Sequence, residues 1–286
     1  MIDLGFHTDN WRPLSLGFEA AVEKGLELGL RHVEFAVIHG QNFIQAMGYD
    51  PGISLQSNAK ALKRYLDKKG VQVSQIDGAY PLMGPLGSAF GVQYVQQAIR
   101  FAAELECPSV DTTDGAFEIE GLTREEVFRI TCDNYRQILP WAEDYGVIIA
   151  VEPHGPYTND AEFMERLFSH FESEYLRFNF DTGNNFISGN DPLEYCRRFR
   201  KYLVHCHIKD VSPQLAAAVR GEETGIGSSI VPIGGGVNAE NIKKVLAFLI
   251  ETQWDGVASI ECHGSDENMQ ASVEFLRGAL TELGQS

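Results

Sequence analysis

The stretch Gly-Val-Ile-Ile-Ala-Val-Glu-Pro-His at residues 146–154 carries the pattern that decides the fold. A glycine stands where a helix should stop, an apolar run of strand length follows, and that run ends at a carboxylate. The segment before it, residues 124–145, has helical length and begins with the capping-box pattern of Thr123 and Glu126. We therefore predict a helix at 124–145 and a strand at 147–151.

The same alternation of strand and amphipathic helix runs through the whole chain. Strands are predicted at residues 2–7, 32–37, 71–76, 109–112, 147–151, 177–181, 203–209 and 256–261. Helices are predicted at residues 17–28, 55–68, 92–105, 124–145, 161–171, 192–200, 239–252 and 267–283. Eight such units favour a (β/α)8 TIM barrel over a doubly wound sheet, and no GxGxxG motif follows the first strand. Since no linker interrupts the pattern, we expect residues 1–286 to form one α/β barrel domain.

Composition excludes several classes of function. The chain has 23 basic and 40 acidic residues and a net charge of −17, so it would repel a nucleic-acid backbone. No apolar run approaches the ~20 residues that span a bilayer, and the first residues lack the basic region of a signal peptide. The five cysteines are widely spaced without a CxxC pair, which indicates reduced thiols. We expect a cytoplasmic protein without nucleic-acid or membrane partners.

The fifth to eighth predicted strands each end at a residue that can bind metal. These residues are Glu152, Asp181, His207 and Glu261. In a barrel the carboxyl ends of the strands meet at one face, where active sites lie. Three carboxylates and one imidazole suit one divalent cation such as Mn²⁺, Co²⁺, Mg²⁺ or Zn²⁺. The set has too many oxygen donors for a structural zinc site. Because they border apolar runs, we interpret them as a metal site rather than as solvated surface charges.

Strand alternation supports this selection. If Asp181 points into the barrel, the phenylalanines Phe178 and Phe180 point toward the helices. By the same rule His205 lies one layer deeper than His207. We interpret His205 as a hydrogen-bonded core histidine rather than as a ligand.

The ordered set of motifs resembles the xylose isomerase-like (β/α)8 superfamily, in its sugar isomerase/epimerase branch. The motifs lie at Val33–Phe35, Ala150–His154, Phe180–Asn184, His205–Asp210, Pro232–Asn238 and Ser259–Glu261. The resemblance covers nearly the whole chain and includes tagatose 3-epimerase-like and inosose dehydratase-like members. It implies that Glu152, Asp181, His207 and Glu261 are the metal ligands, and that the two glutamates are also the acid/base pair. It further implies a homodimer or homotetramer.

The chemistry expected of such a site is proton abstraction next to a carbonyl. A metal that holds a carbonyl oxygen and the adjacent hydroxyl acidifies the neighbouring C–H, so that an enediolate forms. If Glu152 removes the proton on one face and Glu261 returns it on the other, the carbon is epimerised. We therefore expect a manganese-type, metal-dependent epimerase or isomerase acting on a small sugar or keto-sugar. The alternative is a lyase of the inosose or 3-keto-sugar dehydratase/hydratase type, which expels a hydroxyl from the same enolate.

Two residues depart from the simplest epimerase pattern. Tagatose 3-epimerase-like members carry a histidine three residues after the metal-binding aspartate, where this chain has Asn184. An amide can hydrogen-bond a substrate hydroxyl but cannot transfer protons. The His-Ile-Lys-Asp sequence at 207–210 more closely resembles inosose dehydratase members, in which Lys209 would stabilise an enolate or help a hydroxyl leave. The alternative for Lys209 is a salt bridge to Asp210 or to another carboxylate.

Further substrate-binding candidates lie beside the predicted ligands. They are His154, Asn184, Glu34, His7, Arg220 and His263. Glu34 has a structural alternative, as partner of a barrel histidine or arginine. Arg220 belongs to the long loop 212–238, which we expect to cover the pocket mouth. The glycine run 234–236 in this loop is interpreted as a tight turn, not as a phosphate-binding loop.

Three aromatic residues have two interpretations of equal weight. Trp11, Phe35 and Tyr80 fit either an apolar pocket wall or the core.

Two other functions fit the same fold less well. An apurinic-site endonuclease needs several metals and a basic DNA face, which a charge of −17 does not supply. A non-catalytic binding protein on a degenerate barrel should have lost at least one ligand, and all four are present.

Overall fold

A computed structural model describes residues 1–39, 51–115, 117–221 and 230–285, without the side chain of Tyr80. Its eight barrel strands are β1 Ile2–His7, β2 His32–Ile38, β3 Gln72–Pro81, β4 Ser109–Thr113, β5 Ile148–Val151, β6 Leu176–Asp181, β7 Leu203–Ile208 and β8 Gly256–Ile260. All neighbours are parallel, and β1 pairs with both β2 and β8. The sheet is therefore a closed barrel, and the predicted (β/α)8 fold is confirmed. A two-residue strand, Ile53–Ser54, adds to the outer end of β2.

The helices surround this barrel. They are α1 Phe18–Glu27, α2 Ala59–Lys69, α3 Val92–Glu104, α4 Arg124–Tyr145, α5 Ala161–Phe171, α6 Thr182–Ile187, α7 Pro192–Phe199, α8 Pro213–Val219, α9 Ala239–Glu251 and α10 Asp266–Glu282. Shorter helical turns lie at Thr8–Leu14, Gly84–Leu86, Gly87–Gly91 and Arg200–Tyr202. Thr123 and Glu126 form the predicted capping box at the start of α4, and Gly146 ends it at φ 66°. The helix and the strand predicted on either side of Gly146 are therefore both present in the structure.

Two short helices were not predicted. Helix α6 begins immediately after β6, where the side chain of Asp181 accepts hydrogen bonds from the first backbone amides. Helix α8 lies inside the segment that we expected to be loop, with Ser212 as its cap and Pro213 at its first position. Each has fewer than eight residues, too short for the apolar period of a helix to show in the sequence.

The apolar core fills the space between the barrel and the helices. Phe178 and Phe180 point outward, and the ring of Tyr195 on α7 lies 6.1 Å from that of Phe178 and 6.3 Å from that of Phe180. The ring of Phe199 lies 5.4 Å from that of Phe178. This confirms the alternation predicted for β6. The five cysteines are free and buried, as expected for reduced thiols. Among the described residues, no helix has both the length and the apolar character needed to cross a bilayer.

Candidate active site

The four predicted metal ligands converge at the carboxyl ends of β5 to β8. Nδ1 of His207 lies 3.3 Å from Oε1 of Glu152 and 3.3 Å from Oε1 of Glu261. Glu152, Asp181 and His207 are buried, and each offers a ligand atom within 4.8 Å of the others. The register of the sheet explains this, because Asp181 stands opposite His207 on the neighbouring strand. We call Glu152, Asp181, His207, Lys209 and Glu261 the charged cluster.

Lys209 lies inside the charged cluster. Its Nζ is 2.8 Å from Oδ2 of Asp181 and 2.5 Å from Oε2 of Glu261, and its side chain is buried. It also lies 3.3 Å from Oδ1 of Asn184. Gly183 makes room for it, since a Cβ at that position would lie 2.6 Å from Cγ of Lys209. Lys209 therefore joins two of the predicted metal ligands.

The other acidic neighbour of Lys209 has a separate structural role. Asp210 accepts backbone N–H bonds of 2.8–2.9 Å from residues 211, 234, 236 and 238. Gly236 has no room for a side chain, because a Cβ would lie 2.3 Å from Oδ1 of Asp210. Gly234 has φ 92°, which favours glycine. The glycine run is thus a turn held by a buried carboxylate, as interpreted from the sequence.

The three carboxyl groups of the charged cluster have pKa values that differ because their surroundings differ. Burial raises the pKa of Asp181 to about 6, although the Lys209 ammonium opposes this. Burial also favours protonation of Glu152, but its hydrogen bond to His207 and the charge of that ring lower its pKa to about 2. In Glu261 the charges of Lys209 and His207 outweigh burial and hold the pKa well below its usual range. Both glutamates are therefore carboxylates, the form that a base requires.

Helix α6 fixes Asp181 and Asn184. Oδ1 of Asp181 accepts the backbone N–H of Gly183 at 2.7 Å and of Asn184 at 2.8 Å. The side-chain Nδ2 of Asn184 donates to Oε1 of Glu152 at 3.1 Å. The amide that replaces the expected histidine thus lies against a predicted catalytic glutamate.

Glu34 has the structural role that the sequence offered as its alternative, as the partner of a barrel histidine. Its two carboxylate oxygens lie 2.9 Å from Nε2 of His207, and its side chain has no exposed surface. Burial works against its charge, but the nearby histidines lower its pKa well below the usual range. Glu34 therefore supports a predicted metal ligand instead of facing an open pocket.

Beneath the charged cluster lies a second set of polar side chains, which we call the neutral cluster. Its members are Gln75, Ser109, Asn179, His205 and Ser259. His205 lies at its centre: Nδ1 is 3.1 Å from Oδ1 of Asn179, and Nε2 is 3.2 Å from Oγ of Ser259. The structure thus places His205 as a hydrogen-bonded core histidine, as the sequence suggested.

His7 lies at the end of β1 on the side of the site that faces Asp77. Nε2 is 3.5 Å from Oδ2 of Asp77, Nδ1 accepts the backbone N–H of Asp9 at 3.1 Å, and the ring centre is 6.2 Å from that of His207. Burial opposes protonation of this ring, but Asp77 and Asp9 raise its pKa to about 10. Because Nδ1 accepts a backbone N–H, the ring hydrogen of His7 lies on Nε2, which faces Asp77 at the border of the charged cluster.

His154 and His263 flank the same site from β5 and β8. Both are partly exposed, and Nδ1 of His154 is buried without a hydrogen-bond partner among the described residues. Burial lowers the pKa of His263 to about 4, so this ring is neutral.

The remaining candidates lie away from the charged cluster. The guanidinium of Arg220 lies over the ring of Phe186, 4.3 Å from its centre, at the end of α8. The rest of its predicted loop, residues 222–229, is outside the described residues. Trp11 bonds Asp266 of α10, and Phe35 packs on Phe18 of α1, so both belong to the core between barrel and helices.

One buried acid was missed by the sequence reasoning. Asp111 on β4 is fully buried, and its Oδ1 accepts from Nδ2 of Asn179 at 3.0 Å. Its Oδ2 has no hydrogen-bond partner in the part of the chain that the structure describes. It follows the apolar Val110 and precedes Thr112, so the alternation rule used for β6 would have found it.

Comparison with known proteins assigns the family. Residues 22–279 match the family described as Xylose isomerase-like TIM barrel. The chain belongs to this family. An inosose dehydratase of Clostridium botulinum (strain Alaska E43 / Type E3) is 27% identical over 158 residues, which are 53% of this chain and 52% of that protein. The match thus spans about half the length of that relative.

Solved structures share the fold along nearly the whole chain. A D-tagatose 3-epimerase-like protein has a TM-score of 0.75 at 20% identity, with 99% of this chain and 98% of that chain covered. The IOLI protein with a binding zinc atom has a TM-score of 0.73 at 15% identity, with 98% and 97% covered. At these identities the matches establish the fold and not the reaction.

Proposed function

We propose that this chain is a divalent-metal-dependent lyase that removes a proton next to the carbonyl of a small polyhydroxy ketone and expels a hydroxyl as water. The observation that carries the proposal is the position of the Lys209 ammonium, 2.8 Å from Asp181 and 2.5 Å from Glu261. A buried cation beside two carboxylates can donate a proton to a departing hydroxyl. The relative named inosose dehydratase supports this chemistry.

The donor set fits a divalent cation. Glu152, Asp181 and His207 offer two carboxylates and an imidazole within 4.8 Å of one another, and Glu261 reaches the same imidazole nitrogen. Hard oxygen donors with one nitrogen suit Mn²⁺, Mg²⁺, Co²⁺ or Zn²⁺. A cation bound there would polarise the ketone and lower the pKa of the adjacent C–H. The zinc-bound family structure is consistent with such a site.

Each protein group then has a defined task. Glu152, a carboxylate held by Asn184, accepts the proton from the carbon next to the carbonyl. As the C–O bond to the neighbouring carbon breaks, Lys209 gives a proton to the leaving oxygen, and water forms. Glu152 has then gained one proton and Lys209 has lost one. Transfer of one proton from Glu152 to Lys209 through solvent therefore restores the site.

Epimerisation is the second candidate, and a specific observation favours it. Glu152 and Glu261 come from different strands, and each places an oxygen 3.3 Å from the same nitrogen of His207. Two carboxylates that converge from two sides could serve opposite faces of one carbon. The sequence ranks this reaction first, but Asn184 provides no proton in place of the expected histidine. The expected substrate is a small sugar or keto-sugar in either case, and the homo-oligomer stays a prediction.

The two reactions differ in the mass of their products. The full-length protein is incubated in D₂O with an inosose or a panel of keto-sugars and with Mn²⁺, Co²⁺, Mg²⁺ or Zn²⁺, and products are analysed by mass spectrometry. A lyase gives a product lighter by one water, whereas an epimerase keeps the mass and gains deuterium. Absence of both changes with every metal and substrate would contradict the proposal.

Lys209→Met separates proton removal from loss of the hydroxyl. We expect dehydration to fall about 10²–10⁴-fold, the usual contribution of a general acid, while deuterium exchange next to the carbonyl persists. Lys243→Met is the matched control, since Lys243 is an exposed lysine on α9 and should leave both rates unchanged. Equal loss of exchange and dehydration in Lys209→Met would show that Lys209 is not the proton donor.

A further inference from the structure

His207 is shared by two groups of possible metal ligands. One group is Glu152, Asp181 and His207, and the other is Glu34, His205 and His207. We infer that the metal of the proposed function, on which this inference rests, is bound through Nδ1 of His207, and that Glu34 is a positioning residue which fixes that imidazole from the opposite side.

The hydrogen bond between Glu34 and His207 sets the state of the ring. Nε2 of His207 lies 2.9 Å from both Oε1 and Oε2 of Glu34. Because both oxygens lie at the same distance, we infer that Nε2 donates one N–H shared between them, which places the ring hydrogen on Nε2. Nδ2 of Asn179 lies 3.2 Å from Nε2 and 3.4 Å from Nδ1, but its shortest hydrogen bond of these three is the one that it donates to Asp111 at 3.0 Å. The lone pair available to a metal is therefore on Nδ1.

Nδ1 of His207 faces two other predicted metal ligands. It lies 3.3 Å from an oxygen of Glu152 and 3.3 Å from an oxygen of Glu261. In metal sites, a ligating histidine commonly donates its other N–H to a carboxylate, which fixes its tautomer and orientation. Glu34 has this relation to His207.

Glu34 is itself held by a chain of directed hydrogen bonds. Nε2 of Gln75 donates to Oε1 of Glu34 at 2.9 Å, and Oε1 of Gln75 accepts from Oγ of Ser109 at 2.9 Å. The register also places Gln75 directly beside Glu34 on the neighbouring strand. Because Ser109 fixes which end of the Gln75 amide faces Glu34, the carboxylate cannot rotate away from His207 without breaking this chain.

The group that contains His205 is already fully hydrogen-bonded. Nδ1 of His205 is bonded to Asn179 and Nε2 to Ser259, while the closest oxygen of Glu34 is 3.8 Å away. A cation there would have to displace these bonds and the one from Glu34 to His207. In the first group, carboxylate oxygens of Glu152 and Glu261 lie 3.3 Å from Nδ1 of His207, so the geometry favours a cation at Nδ1.

The test combines metal affinity with the state of the ring. Mn²⁺ is titrated calorimetrically into metal-free wild type, Glu34→Gln and Ser74→Ala. Loss of a residue that hydrogen-bonds to a metal ligand typically lowers the metal affinity about 10–100-fold, and we expect this for Glu34→Gln. Ser74→Ala is the matched control, because Ser74 neighbours Gln75 and bonds only the backbone of Val33 at 3.3 Å. Its Kd should equal that of wild type.

Nitrogen NMR of the wild-type protein loaded with Zn²⁺ gives a second readout that needs no variant. We expect His207 to show a protonated Nε2 and a metal-bound Nδ1. The opposite pattern, or an unchanged Kd in a folded Glu34→Gln, would overturn the inference while leaving the proposed function intact. Failure of the wild type to bind any of the four metals would instead overturn the metal dependence of the proposed function, and this inference with it.

Discussion

His205 and His207 lie two residues apart on β7, point into the same barrel and are both buried, yet their surroundings drive them in opposite directions. Burial lowers the pKa of His205 to about 4, and the charge of Glu34 only partly opposes this. Burial acts on His207 in the same sense, but Glu34, Glu261 and Glu152 outweigh it and raise the pKa well above its usual value. Depth along one strand therefore separates a histidine that lies among neutral partners from one that lies among carboxylates.

The comparison extends to the two clusters around these rings. In the neutral cluster, amides and hydroxyls satisfy each other, so no charge has to be buried. In the charged cluster, five ionisable groups lie within reach of one another, an arrangement that typically marks a functional site. The inner cluster thus shapes the barrel, and the outer cluster carries the proposed chemistry.

The largest effect is expected at Asp181. Asp181→Asn should weaken Mn²⁺ binding by more than about 100-fold, since it removes a ligand and even outer partners contribute about 10–100-fold. The fold should survive, because the amide oxygen can still accept the bonds from Gly183 and Asn184. Calorimetric titration and turnover measure the effect.

Asp191→Asn is the control for this change. Asp191 caps α7 as Asp181 caps α6, accepting from Leu193 at 2.9 Å and Glu194 at 3.2 Å, but it is exposed and is not one of the predicted metal ligands. Its metal affinity should match that of wild type. Equal affinity in both variants would place the metal elsewhere.

A smaller effect of another kind is expected for His205→Gln. It leaves Asn179 and Ser259 without their buried partner, so the free energy of unfolding should fall by about 1–3 kcal/mol. Metal affinity should not change, because His205 does not hold the ion. Urea denaturation and metal titration test both expectations. A loss of metal affinity comparable to that of Asp181→Asn would erase the distinction between the clusters.

The smallest effect is expected for Ser259→Ala, which removes one hydrogen bond of 3.2 Å from His205. The free energy of unfolding should fall by about 0.5–1.5 kcal/mol, the usual net value of one such bond. Urea denaturation measures it. A loss larger than that of His205→Gln would show that Ser259 has a partner or a packing role outside the neutral cluster.

Much of this arrangement could be predicted from the sequence. An apolar run that ends at a carboxylate, as at Glu152, marks both a strand and its inward-facing end. The period of two then sorts neighbours such as Phe180 and Asp181 onto opposite faces. These inferences need only local sequence, and they place every residue of the charged cluster at the end of a strand or directly after it.

The partners of individual side chains could not be predicted, because they depend on contacts across the closed barrel. Lys209 could have paired with its neighbour Asp210, but that carboxylate accepts hydrogen bonds from the adjacent amide of Val211 and from three backbone amides more than 20 residues away. Glu34 and His207 meet across the barrel, 173 residues apart in the chain. A sequence shows which side chains point inward, but not which of them touch.

The most direct test of the central claim is the position of the metal. Crystals of the full-length protein grown with Mn²⁺ are measured at a wavelength where manganese scatters anomalously. The account predicts one peak bonded to Glu152, Asp181, Glu261 and Nδ1 of His207. A peak between Glu34, His205 and Nε2 of His207, or no peak inside the barrel, would contradict it.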